Sequence, residues 1–331
     1  MQKIAALIKQ EAIQLLTEQS VSAVLAWSNG GAAYEGVPTV FHTVQECENI
    51  IYDEFCGANL SKLAFKQLKF ETKIAVFLRP CDTYSMRELI KEHRVDREKV
   101  IIYGISCSGM VDVRMLKLRG IKGITDITAI DDKLEVTTMY GSKTIDKQDV
   151  LLAKCMACKG PEYMLADKTL GEPMVVKHPP FNPLQALEKI EALPVKERFA
   201  FWQQELSKCI RCNACKDVCP ACTCEQCIFD NKKEPFATKA NATSAEEQVY
   251  HIIRAYHVAG RCTGCGECER VCPQGIKLGL LNLHFMRDIN ELYGPYQAGD
   301  KSDAPSPLLT YQLNDVESTV LEQRRESHAK D

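Results

Sequence analysis

Two stretches of the chain place cysteine at one repeated spacing. Cys209-x2-Cys212-x2-Cys215-x3-Cys219 is followed at once by Pro220, and Cys262-x2-Cys265-x2-Cys268-x3-Cys272 by Pro273. Three thiolates at x2 spacing wrap one face of an iron–sulfur cube in a tight loop. The x3-Pro step then turns the chain away and sends the fourth sulfur to a neighbouring site, as in two-cluster ferredoxins, where that cysteine ligates the other cluster. The pattern predicts one [4Fe–4S] cluster on Cys209, Cys212, Cys215 and Cys272, and a second on Cys219, Cys262, Cys265 and Cys268. Ala214, Gly264 and Gly266 are small enough for the backbone to crowd a cluster and offer it N–H groups. Two structural zinc sites are the bland alternative, but these usually take paired knuckles. Cys215-x3-Cys219-x2-Cys222 also matches the spacing of radical S-adenosylmethionine enzymes, yet it lies inside the longer run with no barrel-sized α/β region after it.

The first run continues into Cys222, Cys224 and Cys227, which the two clusters leave without a role. They fit small buried thiols packed around the clusters. They also fit an extra site for zinc or a fourth cluster, completed by Cys47, Cys56 or a histidine.

Four further cysteines are scattered upstream. Cys81 and Cys107 each follow a predicted strand, and Cys155-x2-Cys158 forms a loop pair. Ligands of open α/β sheets gather at the C-terminal edge of the strands, so these four form a candidate third site. Each taken singly also fits a buried core cysteine. Arg79 next to Cys81 suits either a strand-end ion pair or a partner for the thiolate. The seven histidines are dispersed; His251 and His257, six apart on one predicted helix, are expected to be structural or solvated.

The elements that must position these residues are legible in outline. Apolar residues at helical spacing predict a helix over 1–18, then strands over 21–27, 73–78 and 100–106, with a helix over 83–93 between the last two. Strand, helix, strand predicts an α/β domain with a mostly parallel sheet. Residues 120–150 suggest short β segments. The proline cluster at 178–183 marks a boundary. Helices are expected after Pro194, over 245–258 behind the capping signal Ser244-Ala-Glu-Glu247, and over 278–292. The division is 1–178 as the α/β domain with one cluster, 179–295 as a helical dicluster ferredoxin-like domain, and 296–331 as a partner-wrapping or mobile tail.

Composition narrows the class. Apolar residues are 45 % and charged residues 26 % of 331, ordinary for a globular protein, and a net charge of −3 gives no general reason to expect nucleic acid. Seventeen cysteines in so long a chain are too many for core packing alone and do not suit a small secreted disulfide scaffold. No signal peptide is legible, and the longest apolar runs are strand-sized, so a reducing cytoplasm and no membrane span are expected.

Residues 39–171 resemble the beta subunits of coenzyme F420-reducing hydrogenases and related formate dehydrogenases. The resemblance rests on Pro80-Cys81, Cys107, Cys155-x2-Cys158, Ala166-Asp167 and Gly171. The Arg79-Pro-Cys-Asp82 form and the Cys219-Pro-Ala-Cys-Thr-Cys224 ending are more similar to sulfhydrogenase beta and anaerobic sulfite reductase A subunits, which also carry a dicluster domain. The resemblance implies an electron-transfer subunit of a cytoplasmic anaerobic oxidoreductase complex. It would relay electrons through three [4Fe–4S] clusters between catalytic and flavoprotein subunits, with ferredoxin a further candidate partner. It also implies FAD beside the third cluster; Asn29-Gly-Gly31 is the nearest match to that family's phosphate-binding helix start, and equally a plain turn. A flavin-containing F420- or NAD(P)-linked reductase subunit and a metal-stapled scaffold without redox function are the alternatives.

Overall fold

The computed structural model describes residues 1–32, 34–231 and 244–310, without the side chain of Ser244. The helix α1 (Gln2–Thr17) buries Ile4, Ile8, Ala12 and Leu15 along one stripe. Next come β1 (Ala23–Asn29), β2 (Gly36–Phe41), β3 (Ile50–Ile51), α2 (Ser61–Gln67), β4 (Ile74–Leu78), α3 (Pro80–Lys91) and β5 (Val100–Ile105). After α4 (Val113–Leu118), the strands β6 (Ile124–Ile130), β7 (Lys133–Thr138) and β8 (Gly141–Asp146) form a separate antiparallel sheet. The short helix α5 (Ala153–Met156) and β9 (Lys168–Leu170) complete this half.

The main sheet has the order β2-β1-β4-β5-β9, with β3 also pairing β1. β1, β4, β5 and β9 are parallel. Every residue of β4 is buried, as a central parallel strand covered on both faces requires. β2 was not anticipated from sequence; it is a half-exposed antiparallel edge strand, where Pro38 is tolerated. The helix expected from residue 83 begins at Pro80, whose fixed φ suits a first turn, so Cys81 lies on α3 itself.

The C-terminal half is helical: α6 (Pro183–Glu191), α7 (Val195–Ser207), α8 (Ala214–Asp217), α9 (Ser244–Val258), α10 (Glu267–Arg270) and α11 (Leu278–Tyr293). α6 was missed inside the proline cluster, where Asn182 caps Leu184 N at 2.9 Å. Residues 232–243, the Ser244 side chain of the capping signal, His328 and the tail beyond 310 lie outside the described residues. The described start of the tail straps across α3: Gly299 N donates to Glu88 Oε2 at 2.8 Å, and Arg87 Nε to Asp300 O at 2.6 Å. That stretch is thus held by its own α/β domain.

Candidate metal centre

Parallel pairing of β4 with β5, in register at Leu78 and Gly104, ends the two strands side by side. Cys81 and Cys107 therefore emerge at one edge of the sheet. The 151–158 segment comes to the same place: Leu152 N donates to Met110 O at 2.8 Å, and Met110 N to Cys155 Sγ at 3.3 Å. Cys107 lies within electrostatic reach of Cys81, Cys155 and Cys158. Burial, then the neighbouring Cys107, pushes the Cys155 thiol up to about 11. The four scattered cysteines thus form one group, and Gly109 N also donates to Cys107 Sγ at 3.4 Å.

Arg79 lies within electrostatic reach of Cys81 and Cys107, but its hydrogen bonds go elsewhere. Its guanidinium donates to Asp82 Oδ2 at 2.7 Å and to the carbonyls of Cys56, Gly57 and Ala58 at 2.6–3.0 Å, with both partners of the ion pair 1 % exposed. It ties the 56–58 loop to the start of α3. Asn29-Gly-Gly31 is a hairpin connection, with no helix behind it. Gly30 N donates to Glu35 O at 2.7 Å and Gly31 N to Glu35 Oε2 at 3.0 Å, so the phosphate-binding reading of this stretch fails.

The two cysteine runs are conformational copies. Left-handed backbone falls two and four residues after the first cysteine in each: Arg211 and Asn213 in one, Gly264 and Gly266 in the other. The crowding position expected at Ala214 is in fact Asn213, which adopts this region more readily than most residues. The third cysteine of each run sits on a four-residue helix, Cys215 on α8 and Cys268 on α10. The fourth crosses over: Cys272 is near Cys215, whereas Cys219 is near Cys262, Cys265 and Cys268.

One small hollow is lined by Cys209, Cys212, Cys215 and Cys272 together with Tyr250 and His251. Another is lined by Cys219, Cys262 and Cys265. Four cysteines around the first hollow and three around the second, with N–H donors to neighbouring sulfurs, suit clusters: Arg211 N donates to Cys209 Sγ at 3.3 Å and Asn282 Nδ2 to Cys268 Sγ at 3.5 Å.

Helix α9 supplies what sequence reasoning missed. Glu247, Tyr250, His251 and Arg254 share one face and are each 1–2 % exposed, whereas Tyr256 on the other side is 60 % exposed. This helix turns polar groups inward. Tyr250 OH is 4.0 Å from Cys215 Sγ. Cys209, Glu247 and His251 lie within 4.8 Å of one another. Burial, with Arg254 and Arg211 nearby, depresses His251 to about 3, so it is neutral at physiological pH. The signal was available in the polar residues at i, i+3, i+4 and i+7.

Cys222, Cys224 and Cys227 line one groove with Lys62 and Lys216. Cys222 bonds Cys219, and Cys224 is exposed. Cys47 and Cys56, the suggested outside ligands, are fully buried in the α/β core.

The two halves meet at the cysteine loop of the third group. Lys154, just before Cys155, donates to Gly57 O at 2.8 Å and pairs with Glu267 Oε1 at 3.0 Å, with side chains 5 % and 1 % exposed. Burial alone would raise the Glu267 carboxyl; Lys154 and Arg270 hold it down at about 2. Lys159, just after Cys158, donates to Thr263 O at 2.5 Å, and Ser85 and Thr263 hydroxyls are 2.9 Å apart.

No helix of the described residues is long and apolar enough to cross a membrane. Residues 205–276 match the family model of the 4Fe-4S dicluster domain. Over 348 aligned residues the chain is 24 % identical to the F420-dependent formate dehydrogenase subunit beta of Methanocaldococcus jannaschii, covering 88 % of this chain and 91 % of that one. It is 23 % identical to the F420-dependent formate dehydrogenase 1 subunit beta of Methanococcus maripaludis, covering 65 % and 71 %. A chain of the xenon-derivatised F420-reducing [NiFe] hydrogenase complex from Methanosarcina barkeri superposes at a TM-score of 0.37 with 16 % identity, over 50 % of this chain and 64 % of its own. The chain is thus similar along most of its length to beta subunits of F420-dependent formate dehydrogenases, and its C-terminal half contains a 4Fe-4S dicluster domain.

Proposed function

We propose that the chain is the iron–sulfur electron-transfer subunit of an oxidoreductase complex of formate dehydrogenase or hydrogenase type, relaying single electrons through three [4Fe–4S] clusters. The sulfurs of Cys81, Cys107, Cys155 and Cys158 would hold one, those of Cys219, Cys262, Cys265 and Cys268 the second, and those of Cys209, Cys212, Cys215 and Cys272 the third. The observation that carries the reading is the order of these groups. Lys159 lies within electrostatic reach of Cys81 on one side and of Cys262 and Cys265 on the other, so the first two groups are neighbours. Crossed fourth cysteines make the last two neighbours in turn. The line ends near the surface, where Cys212 is exposed and Ile210 beside it is 59 % exposed. A partner subunit can meet the relay there.

When bound, a [4Fe–4S] cluster takes up and gives back one electron at a potential set by hydrogen bonds, charge and solvent exposure. The chain's own contribution is to aim backbone N–H groups of Gly109, Met110 and Arg211 at ligand sulfurs and to shield them with Leu206, Tyr250, Ile276 and Leu278. Sequence similarity to formate dehydrogenase beta subunits supports the class of complex. Anaerobic reductive titration tests the relay. The native chain is expected to take up about three electrons and a Cys107→Ser variant about two. Uptake unchanged in that variant contradicts a cluster on Cys81, Cys107, Cys155 and Cys158.

A further inference from the structure

Among the described residues, no carboxylate pairs with the buried cation Arg254. It is 2 % exposed on the inward face of α9, and among the described residues its Nε and Nη1 have no hydrogen-bond partner. Nη2 makes one long contact, 3.5 Å, to Asn282 Oδ1, and the same Asn282 reaches Cys268 Sγ through Nδ2 at 3.5 Å. One turn earlier on the same face, Tyr250 reaches Cys215. Tyr250 and, through Asn282, Arg254 thus connect one face of α9 to a cysteine of each run, and Cys215, Cys219, Cys222 and Cys268 all lie within electrostatic reach of the guanidinium. A buried guanidinium persists only when anions and acceptors compensate it. The compensating groups here are sulfurs.

We propose that Arg254 serves both clusters of the dicluster domain at once, donating to sulfurs on either side and raising both reduction potentials. It is a positioning residue, and the inference rests on the cluster reading above. Each reduction adds negative charge, which a shared fixed cation favours, and hydrogen bonds to cluster sulfurs act in the same direction. Arginine suits the place because its planar fork presents five donors in different directions and keeps its charge when buried.

The test is a potentiometric titration of the anaerobically purified full chain, followed by electron paramagnetic resonance, with iron and sulfide assayed in parallel. Arg254→Gln is expected to keep native iron while both dicluster signals become about tenfold less reduced at fixed potential, equivalent to about 59 mV for one electron. Lys66→Gln removes an exposed cation from the neighbouring groove and is expected to move neither signal. Native iron in Arg254→Gln with either signal unmoved overturns the proposal. If Arg254→Gln takes up no iron, Arg254→Lys decides. Iron regained supports a cation serving both clusters, and iron still missing overturns it. A native chain without iron and sulfide would instead overturn the cluster reading itself.

Discussion

The two halves of the molecule bury an arginine each, and the two are held in opposite ways. Arg79 in the α/β half has Asp82 and three carbonyls around its guanidinium. Arg254 in the dicluster half has one long contact to an amide and faces sulfurs. The cores differ alike. The α/β half packs α1 and all of β4 into a continuous apolar core. The dicluster half gathers Leu206, Phe229, Tyr250, Ile276 and Leu278 around Cys215, Cys268 and Cys272. One half packs its core on its own side chains, with Cys81 and Cys107 at the edge of its sheet. The other is built around something those side chains were shaped to hold, as in small metal domains whose binding free energy is folding free energy.

The harshest way to break this contrast is to remove the metal. Chelation under anaerobic conditions is expected to abolish hydrogen-exchange protection across residues 205–276, while β4 and β5 keep theirs. Equal loss in both halves would show that the α/β core also depends on metal. Next in size, Arg79→Met strands the buried Asp82 carboxylate and is expected to cost about 3–5 kcal/mol in denaturant unfolding of the α/β half. Iron on the dicluster cysteines should not change. Lys154→Met leaves Glu267 with Arg270 as its remaining cation at the junction and is expected to cost less, read as faster exchange of amides on both sides of the contact. Cys224→Ser should be the mildest: the side chain is exposed, and iron and zinc contents are expected to stay as in the native chain. Loss of metal there would instead support an extra site on Cys222, Cys224 and Cys227.

Much of this was legible in the sequence because its signals are local. The x2-x2-x3-Pro runs specify loop, short helix and crossing cysteine within a dozen residues, and the apolar runs behind β4 and β5 are strands in any context. The pairing of Cys81 and Cys107 followed from strand order. What escaped needed partners far away in sequence. β2 reads as a loop because it is half exposed and carries Pro38; only pairing with β1 makes it a strand. Asn182-Pro183 begins α6, yet the same prolines read as a linker. The carbonyl contacts of Arg79 and the inward polar face of α9 escaped for one reason: what a buried polar group contacts is set by tertiary packing, and Arg254 looks like any helix arginine until its neighbours are known.

Iron and acid-labile sulfide, counted per chain in anaerobically purified protein, test the three-cluster relay most directly. Three [4Fe–4S] clusters require about twelve of each. About eight of each would leave Cys81, Cys107, Cys155 and Cys158 without a cluster, and zinc without sulfide would contradict electron transfer by this chain.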